Sequence, residues 1–140
     1  MADGPGRGII DTSVVIDLER VEPADLPEEI AVTAVTLAEL AAGPHAARDG
    51  SERARRQDRL QRTEAGFDPI PFDAAAARAF GRIYAAVASA GRKPQGRRAT
   101  DLFIAATALA AGLPLYTRNP GDFAGLADLV DVRPVELLSA

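Results

Sequence analysis

Apolar positions along the chain recur with two different periods, and these periods predict alternating strands and helices. Short runs rich in Val, Ile and Thr and bounded by turn residues predict strands over residues 7–11, 30–35, 115–117 and 129–132. Residues 67–72 form a further short run, but Pro69 and Pro71 would interrupt its hydrogen bonds. Proline restricts such a run to the edge of a sheet, so we expect an edge strand there at best.

Helical spacing of apolar residues predicts helices over residues 14–20, 36–42, 49–65, 73–89 and 100–111. Ser13 and Asp73 are suitable caps for the first and fourth of these helices. The helix over 100–111 is apolar nearly all round, which indicates a buried helix. The helix over 49–65 has Leu60 as nearly its only large apolar residue, so we expect it to be exposed. Residues 91–96 are predicted to form a polar loop.

Strands that alternate with helices predict an α/β fold with a central, mainly parallel sheet. We expect about four or five strands with helices on both faces, which gives three layers, α/β/α. The 140 residues suffice for one domain, predicted over residues 8–140, after a flexible N-terminal lead over residues 1–7. In such sheets, functional sites form beyond the carboxyl ends of the strands.

The composition excludes several kinds of site. The chain has no cysteine and one histidine, His45, so neither a thiolate site nor a site built on two histidines is possible. Any metal site must therefore be made of carboxylates, and hard oxygen ligands favour Mg²⁺ or Mn²⁺. No apolar run approaches the ~20 residues of a membrane span. We therefore expect a cytoplasmic protein that does not contact a membrane.

Four acidic residues lie where predicted elements begin or end: Asp11, Glu39, Asp101 and Asp122. Asp11 closes the first strand, where a charged group beside a buried apolar run needs a partner. Asp101 opens the apolar helix, and Asp122 follows the strand over 115–117 after a Pro-Gly pair. If the fold brings these carboxylates together, the resulting pocket is negatively charged and suits a divalent cation and the hydrolysis of a phosphodiester.

Each of these acids also has an ordinary structural interpretation. Asp11 could cap the first helix, although Ser13 offers a better cap. Thr36 and Glu39 match a capping box, in which the Glu side chain returns to the cap N–H. Asp101 would be favoured by the helix dipole in a first turn, and turns favour aspartates such as Asp122. Another acid, Asp17, is expected to be solvated.

Basic residues are concentrated in two stretches of a chain whose net charge is −4. Residues 48–62 carry six arginines and three acids, which gives +3, and residues 92–98 carry four basic residues and no acid, which gives +4. The rest of the chain therefore carries −4 − 7 = −11. The first stretch could be a solvated helix face or could position a polyanion, whereas the second leads directly to Asp101. Overall acidity thus does not exclude a nucleic-acid partner.

Four short segments together resemble a known family. They are Ile10-Asp11-Thr12-Ser13-Val14, Thr36-Leu-Ala-Glu39-Leu40, Thr100-Asp101-Leu-Phe-Ile-Ala-Ala-Thr107-Ala, and Tyr116-Thr117-Arg118-Asn119-Pro-Gly-Asp122-Phe123. In this order and spacing they resemble the PIN-domain ribonucleases, specifically VapC-type toxins of VapBC toxin–antitoxin pairs.

The resemblance implies a fold, a reaction and roles for particular residues. Asp11, Glu39, Asp101 and Asp122 would hold Mg²⁺, for which Mn²⁺ would substitute, and the protein would be an endoribonuclease. Ser13, Thr117 and Asn119 would support the acids through hydrogen bonds. The partners implied are an RNA substrate, a cognate VapB-type antitoxin and a second copy of the chain in a homodimer. Beyond the resemblance, the helix over 48–62 and the basic loop could then position the RNA backbone, with the loop residues as candidate RNA contacts: Arg92, Lys93, Arg97 and Arg98.

Two other classes of protein deserve comparison. A phospho-acceptor receiver domain needs paired acids near the first strand and a late lysine, but Lys93 lies in a predicted loop. A phosphatase with an aspartate nucleophile needs a second Asp two residues after the first, where this chain has Ser13. The remaining alternative is a PIN-like scaffold that binds RNA or a protein without catalysis. RNA cleavage that depends on a divalent cation would distinguish the enzyme from that scaffold.

Overall fold

A sheet of four parallel strands is present in the part of the chain that the computed structural model describes. The described residues are 6–91 and 97–139, and of residues 97 and 98 only the backbone is described. The strands are β1 (Arg7–Ile10), β2 (Glu29–Ala31), β3 (Leu115–Thr117) and β4 (Val132–Pro134). Their order is β2-β1-β3-β4, so the first strand lies in the interior of the sheet. Ile9 lies opposite Ala31 and Leu115, and Ile10 lies opposite Tyr116. The predicted parallel sheet is therefore confirmed.

Five α-helices connect these strands within the described residues: α1 (Thr12–Ile16), α2 (Ala34–Ala42), α3 (Gly50–Gly66), α4 (Ala74–Ser89) and α5 (Arg97–Ala111). Short 3₁₀ turns follow α2 at Gly43–Ala46 and β3 at Pro120–Phe123. Asp73 caps α4 by accepting a hydrogen bond from the Ala76 N–H, as predicted. No helix among the described residues has both the length and the apolarity needed to cross a bilayer.

Successive residues of β1 face opposite sides of the sheet, and this alternation creates two hydrophobic cores. Ile9 packs with buried residues of α4 and α5, among them Ile83, Leu102 and Ile104. Ile10 packs on the other face with residues of α1 and α2, among them Val14 and Leu40. Helices therefore cover both faces, and the three-layer α/β/α prediction is confirmed.

Several predicted element boundaries are wrong, and each has a local reason. The helix over 14–20 begins earlier, at Thr12, because Asp11 rather than Ser13 caps it. The helix predicted from residue 36 begins at Ala34, because Thr33 accepts a hydrogen bond from the Thr36 N–H. The helix predicted from residue 100 begins at Arg97. The last strand lies at Val132–Pro134 instead of 129–132.

The proline-rich run over 67–72 does not form a strand. Its only sheet-like contact within the described residues is an isolated bridge between Ile70 and Thr33. Backbone hydrogen bonds support this bridge, since the Ile70 N–H donates to Val32 O and the Ala34 N–H donates to Ile70 O. Pro69 and Pro71 lack an N–H on either side, so the pairing stops after one residue. The sheet therefore has four strands in the described part of the chain, within the predicted four or five.

We expect Gly8→Ala to destabilise the fold by about 1–3 kcal/mol, because a Cβ there would overpack the sheet. That Cβ would lie 2.4 Å from Tyr116 Cε1 and 3.0 Å from Pro27 Cβ. The Tyr116 ring cannot withdraw freely, since Arg133 Nη1 donates to its hydroxyl at 3.0 Å. Urea unfolding would measure the loss. Gly81→Ala is the control, because a Cβ there meets nothing within 4 Å and should add up to about 1 kcal/mol of stability in a helix. Equal stabilities of the Gly8 variant and the wild type would contradict the packing argument.

Candidate active site

Asp11, Glu39, Asp101 and Asp122 all line one pocket of about 490 Å³ at the carboxyl edge of the sheet. Asp11 directly follows β1, and Asp122 lies in the 3₁₀ turn that follows β3. Glu39 and Asp101 come from α2 and α5. The fold thus brings together four acids that are far apart in the sequence.

Asp11 is the most buried of the four acids, with 4% of its surface exposed. As the cap of α1, its Oδ1 accepts hydrogen bonds from the Val14 N–H at 3.2 Å and the Ser13 hydroxyl at 2.5 Å. Burial raises the pKa of the Asp11 carboxyl above its ordinary value, and the hydrogen bonds from Ser13, Thr117 and Val14 only partly offset this effect. The site therefore holds a carboxylate whose ionised form is disfavoured by its surroundings.

A chain of hydroxyl groups connects Asp11 to the segment after β3. The Ser13 hydroxyl, which donates to Asp11, accepts a hydrogen bond from the Arg118 N–H at 3.1 Å. Its oxygen lies 3.5 Å from Thr117 Oγ1, which accepts from the Asn119 N–H at 3.0 Å. Ser13 and Thr117 therefore occupy positions next to Asp11 that suit a supporting role. Asn119 is exposed at the pocket and precedes the turn that carries Asp122.

Glu39 is held by threonines from other helices and does not form the predicted capping box. Its Oε1 accepts a hydrogen bond from the Thr12 hydroxyl at 2.5 Å, and its Oε2 accepts one from the Thr100 hydroxyl at 3.3 Å. The cap of α2 is Thr33, six residues before Glu39, so the Glu side chain has no cap N–H to bind. Glu39 therefore links α2 to α1 and α5 at the pocket. Thr12 follows Asp11 and Thr100 precedes Asp101 in the sequence. Threonine is too common a residue type for the sequence alone to have identified either as a partner of Glu39.

Asp101 lies in helix α5 and Asp122 lies in the 3₁₀ turn after β3. Because α5 begins at Arg97, Asp101 lies past the first turn of the helix, so the interpretation of Asp101 as a first-turn acid favoured by the dipole is wrong. Asp122 lies within a 3₁₀ turn, and its N–H donates to Asn119 O at 2.9 Å. Both side chains are half-buried at the pocket.

The four acids share a pocket without forming a finished metal cluster. Throughout residues 6–91 and 97–139, no group of three or more acidic or histidine side chains is arranged so that it could hold a metal ion. The donor chemistry nevertheless fits a hard divalent cation, because the acids and neighbouring hydroxyls offer only oxygen atoms. Bringing the carboxylates onto one ion would require their side chains to turn toward the centre of the pocket.

Asp17 is buried, so the prediction that it is solvated is wrong. Its side chain, 10% exposed, forms an ion pair with Arg20 and accepts a hydrogen bond from Arg118 Nη1 at 2.9 Å. Arg118 also donates its backbone N–H to Ser13. The Asp17–Arg118 pair therefore fixes the end of α1 against the segment that carries Thr117 and Asn119.

The pocket has a basic side that the predicted site residues do not include. Arg55, Arg56 and Arg59 of α3 line it together with Glu52. Glu52 accepts hydrogen bonds from the Arg48 side chain and backbone N–H and pairs with Arg56 at 3.1 Å. The hydrogen bonds from Arg48 are the main reason that the pKa of Glu52 falls to about 2. Glu52 therefore stays ionised near neutral pH and offsets the charge of the arginines beside it.

The other basic stretch cannot be compared with the structure in the same way. Arg92 and Lys93 lie outside the described residues, and Arg97 and Arg98 are described only as backbone at the start of α5. Their contacts with RNA stay a prediction. His45, the one histidine of the chain, is exposed in the turn after α2.

Comparisons with known proteins agree on one family. The PIN domain family model matches residues 9–129. Ribonuclease VapC5 of Mycobacterium tuberculosis is 36% identical over 140 residues, which cover 98% of this chain and 100% of the relative. Ribonuclease VapC8 of the same species is 38% identical over 104 residues, 74% of this chain and 91% of the relative.

A solved structure gives the same result. The crystal structure of VapBC-5 from Mycobacterium tuberculosis, a member of the VapBC family of toxin–antitoxin systems, contains a chain that is 37% identical to this one. The match has a TM-score of 0.81 and covers 95% of this chain and 100% of that one. The chain therefore belongs to the PIN domain family and, within it, to the VapC ribonucleases.

Proposed function

We propose that this protein is a metal-dependent endoribonuclease that acts as the toxin of a type II toxin–antitoxin pair. The observation that carries the proposal is the single pocket lined by Asp11, Glu39, Asp101 and Asp122. The relatives support it, since VapC5 and VapC8 are named ribonucleases and VapBC-5 is a toxin–antitoxin system. RNA is then the substrate, and a VapB-type antitoxin is the inhibitor.

The four acids would hold Mg²⁺, with Mn²⁺ as a substitute. Carboxylate oxygens suit both ions, and no cysteine is available to favour a softer metal. A divalent cation in such a site supplies Lewis acidity: it acidifies water and offsets the negative charge that develops on a phosphate. Asp11 is one of the carboxylates that we assign to the cation, and its Oδ1 also accepts the hydrogen bonds from Ser13 and Val14.

The neighbouring polar groups would keep the acids in position during the reaction. Ser13 donates to Asp11 Oδ1 and so holds that carboxylate in one orientation. Thr117, whose oxygen accepts from the Asn119 N–H, lies next to Ser13 and restricts its hydroxyl. Asn119 would orient Asp122 or a water molecule from its exposed position at the pocket. Removal of such supporting groups typically lowers metal affinity or activity by about 10–100-fold.

The setting of the enzyme follows from the same assignment. We place the single functional domain at residues 8–140. Of the lead predicted over residues 1–7, Arg7 already belongs to β1 and pairs with Glu29. We also propose that the protein forms a homodimer and acts in the cytoplasm, where its RNA substrates and its antitoxin are made. Sedimentation of the purified chain would measure the oligomeric state.

Cleavage of RNA by the purified protein tests the proposal. We expect single-stranded RNA to be cut internally when Mg²⁺ or Mn²⁺ is present, and we expect EDTA to stop the reaction. Addition of excess Mn²⁺ after EDTA should restore it, and a co-purified VapB-type partner should inhibit it. Cleavage that persists in EDTA would contradict the metal dependence. RNA binding without cleavage under every divalent cation would instead identify a non-catalytic scaffold.

A further inference from the structure

Two arginines of α3 face the acids across the pocket without an acidic partner of their own. Arg55 and Arg59 both line the pocket and lie one helical turn apart, about 6 Å along the axis. Arg55 is exposed and donates to the Ser51 hydroxyl at 2.8 Å. Arg59 is half-buried, and within the described residues its side chain makes no hydrogen bond or ion pair. Two positive charges at the pocket are therefore available to a ligand.

The other arginines of this region are already engaged. Glu52 binds the side chains of Arg48 and Arg56, and Glu19 and Asp58 bind the side chain of Arg62. An ion pair that neutralises an arginine weakens its attraction for a distant phosphate. Within the described residues Arg53 also lacks an acidic partner, but it donates to Pro44 O and does not line the pocket. The unpaired positive charge of α3 that faces the carboxylates is therefore that of Arg55 and Arg59.

Contacts between α3 and the end of α2 fix the distance between the basic and acidic sides of the pocket. Arg56 Nη1 donates to Gly43 O at 2.9 Å, and Arg53 Nε donates to Pro44 O at 3.3 Å. Both carbonyls belong to the turn that directly follows α2, the helix that carries Glu39. Arg55 and Arg59 are therefore mounted on a helix that is tied to the acidic side.

The shape of the surface indicates the path of a strand. A second pocket of about 230 Å³ adjoins the first and shares Ile16 and Arg59 with it. Ile16 is 46% exposed between the two pockets, where it offers an apolar surface. Because Asp11 is almost fully buried, a phosphate must enter a recess to reach it, which a flexible single strand does more readily than a stiff duplex.

We propose that Arg55 and Arg59 bind two adjacent phosphates next to the one that is cleaved, in a single strand of RNA that passes over Ile16. This inference rests on the proposed function and assigns the part of the site that holds the substrate. A chain with a net charge of −4 and a pocket of four acids repels a polyanion, so local cations are needed to offset that repulsion. Phosphate contacts give affinity and position rather than choice of sequence.

The salt dependence of RNA binding tests the assignment. A fluorescent single-stranded RNA oligonucleotide would be titrated by anisotropy at several salt concentrations, in an Asp101→Asn background that slows cleavage. Each phosphate contact in a single strand contributes about 0.7 to the slope of log K against log salt. We expect the Arg55→Gln/Arg59→Gln double variant to lose about 1.4 from that slope and roughly 25-fold in affinity at 0.1 M salt. Arg82→Gln, a change at an exposed arginine of α4, should alter neither.

A kinetic measurement separates this inference from the proposed function. In the cleavage-competent protein, the double variant should raise KM for RNA much more than it lowers kcat. If the wild type neither binds nor cuts RNA, the proposed function fails. If the wild type cuts RNA and the double variant keeps its salt slope and KM, only the present assignment is overturned. Loss of antitoxin binding with unchanged RNA binding would also overturn it, because the two arginines would then serve the protein partner.

Discussion

Asp11→Asn is expected to raise the melting temperature of the metal-free protein at neutral pH and to abolish most of the stabilisation by Mn²⁺. Asparagine can still cap α1 by accepting the Val14 N–H and the Ser13 hydroxyl, so the fold should persist. The variant lacks the buried negative charge that disfavours the native state. On the proposed assignment it also lacks an oxygen that binds the cation.

The pH dependence follows from the raised pKa of Asp11. In the folded state the carboxyl binds its proton more tightly than in the unfolded chain, whose ordinary value is 3.8. Below that value both states are protonated and Asp11 costs no stability. As the pH rises to and through the raised folded pKa, the unfolded chain holds fewer protons and the folded protein loses stability. The difference in melting temperature between Asp11→Asn and the wild type should therefore grow over this interval and then stay constant.

Mn²⁺ should stabilise the wild type by binding only the native state. At a concentration 100 times its dissociation constant, a ligand adds about 2.7 kcal/mol, which is about 10 °C for a domain of this size. Differential scanning fluorimetry with and without EDTA would measure the shift. Asp128→Asn, a change at an exposed acid outside the pocket, should respond like the wild type. An equal Mn²⁺ shift in Asp11→Asn and the wild type would refute a cation site at Asp11.

Asp101→Asn should lower the rate of RNA cleavage by on the order of 10²–10³, the usual loss when one electrostatic contact to a reaction's developing charge is removed. The substitution keeps the size of the side chain, and Asp101 lies on the buried helix α5, so its backbone position should not change. Initial rates of cleavage of a labelled RNA in saturating Mg²⁺ would measure the effect.

Measuring the melting temperature of Asp101→Asn distinguishes a loss of catalysis from a loss of folding. The melting temperature of metal-free Asp101→Asn should be equal to or above that of the wild type, which would exclude unfolding as the reason for lost activity. Asp128→Asn again serves as the control and should cleave RNA at the wild-type rate. An Asp101→Asn enzyme that retains more than about a tenth of wild-type activity would remove Asp101 from the proposed catalytic set.

The order of the elements and the place of the pocket could be predicted because strands alternate with helices along the chain. The apolar run that ends at Asp11 predicts a buried strand, and parallel strands place their carboxyl ends at one edge. Asp11 and the segment from Thr117 to Asp122 therefore had to lie near each other once the strands were parallel. The positions of Asp101 and Glu39 followed only when the resemblance to PIN domains was added.

Local rules could not decide between neighbouring residues of similar chemistry. Thr33 and Thr36 can both cap α2, and only the structure shows that Thr33 does so and that Glu39 turns to Thr12 and Thr100. Asp11 and Ser13 likewise compete for the cap of α1. A capping motif shows which local hydrogen bonds two residues can form, whereas tertiary contacts determine which of these hydrogen bonds do form.

Local sequence patterns could not predict contacts between segments that are distant in the chain. Asp17 looks like an ordinary surface acid, yet its partner Arg118 is 101 residues away. The arginines of α3 look like a solvated face, but Arg53 and Arg56 donate to carbonyls of the turn after α2. Without knowledge of how the helices pack, neither the burial of Asp17 nor the basic side of the pocket could be inferred.

The strand order has a consequence for how a cell survives making such a protein. Asp11 ends β1, which pairs with β3 in the interior of the sheet, and β3 follows β1 in the chain only after β2 and helices α1 to α5. On the proposed assignment, a nascent chain cannot assemble its cutting centre until residues 115–122 have left the exit tunnel. Translation that stops before these residues would therefore release a fragment without that centre.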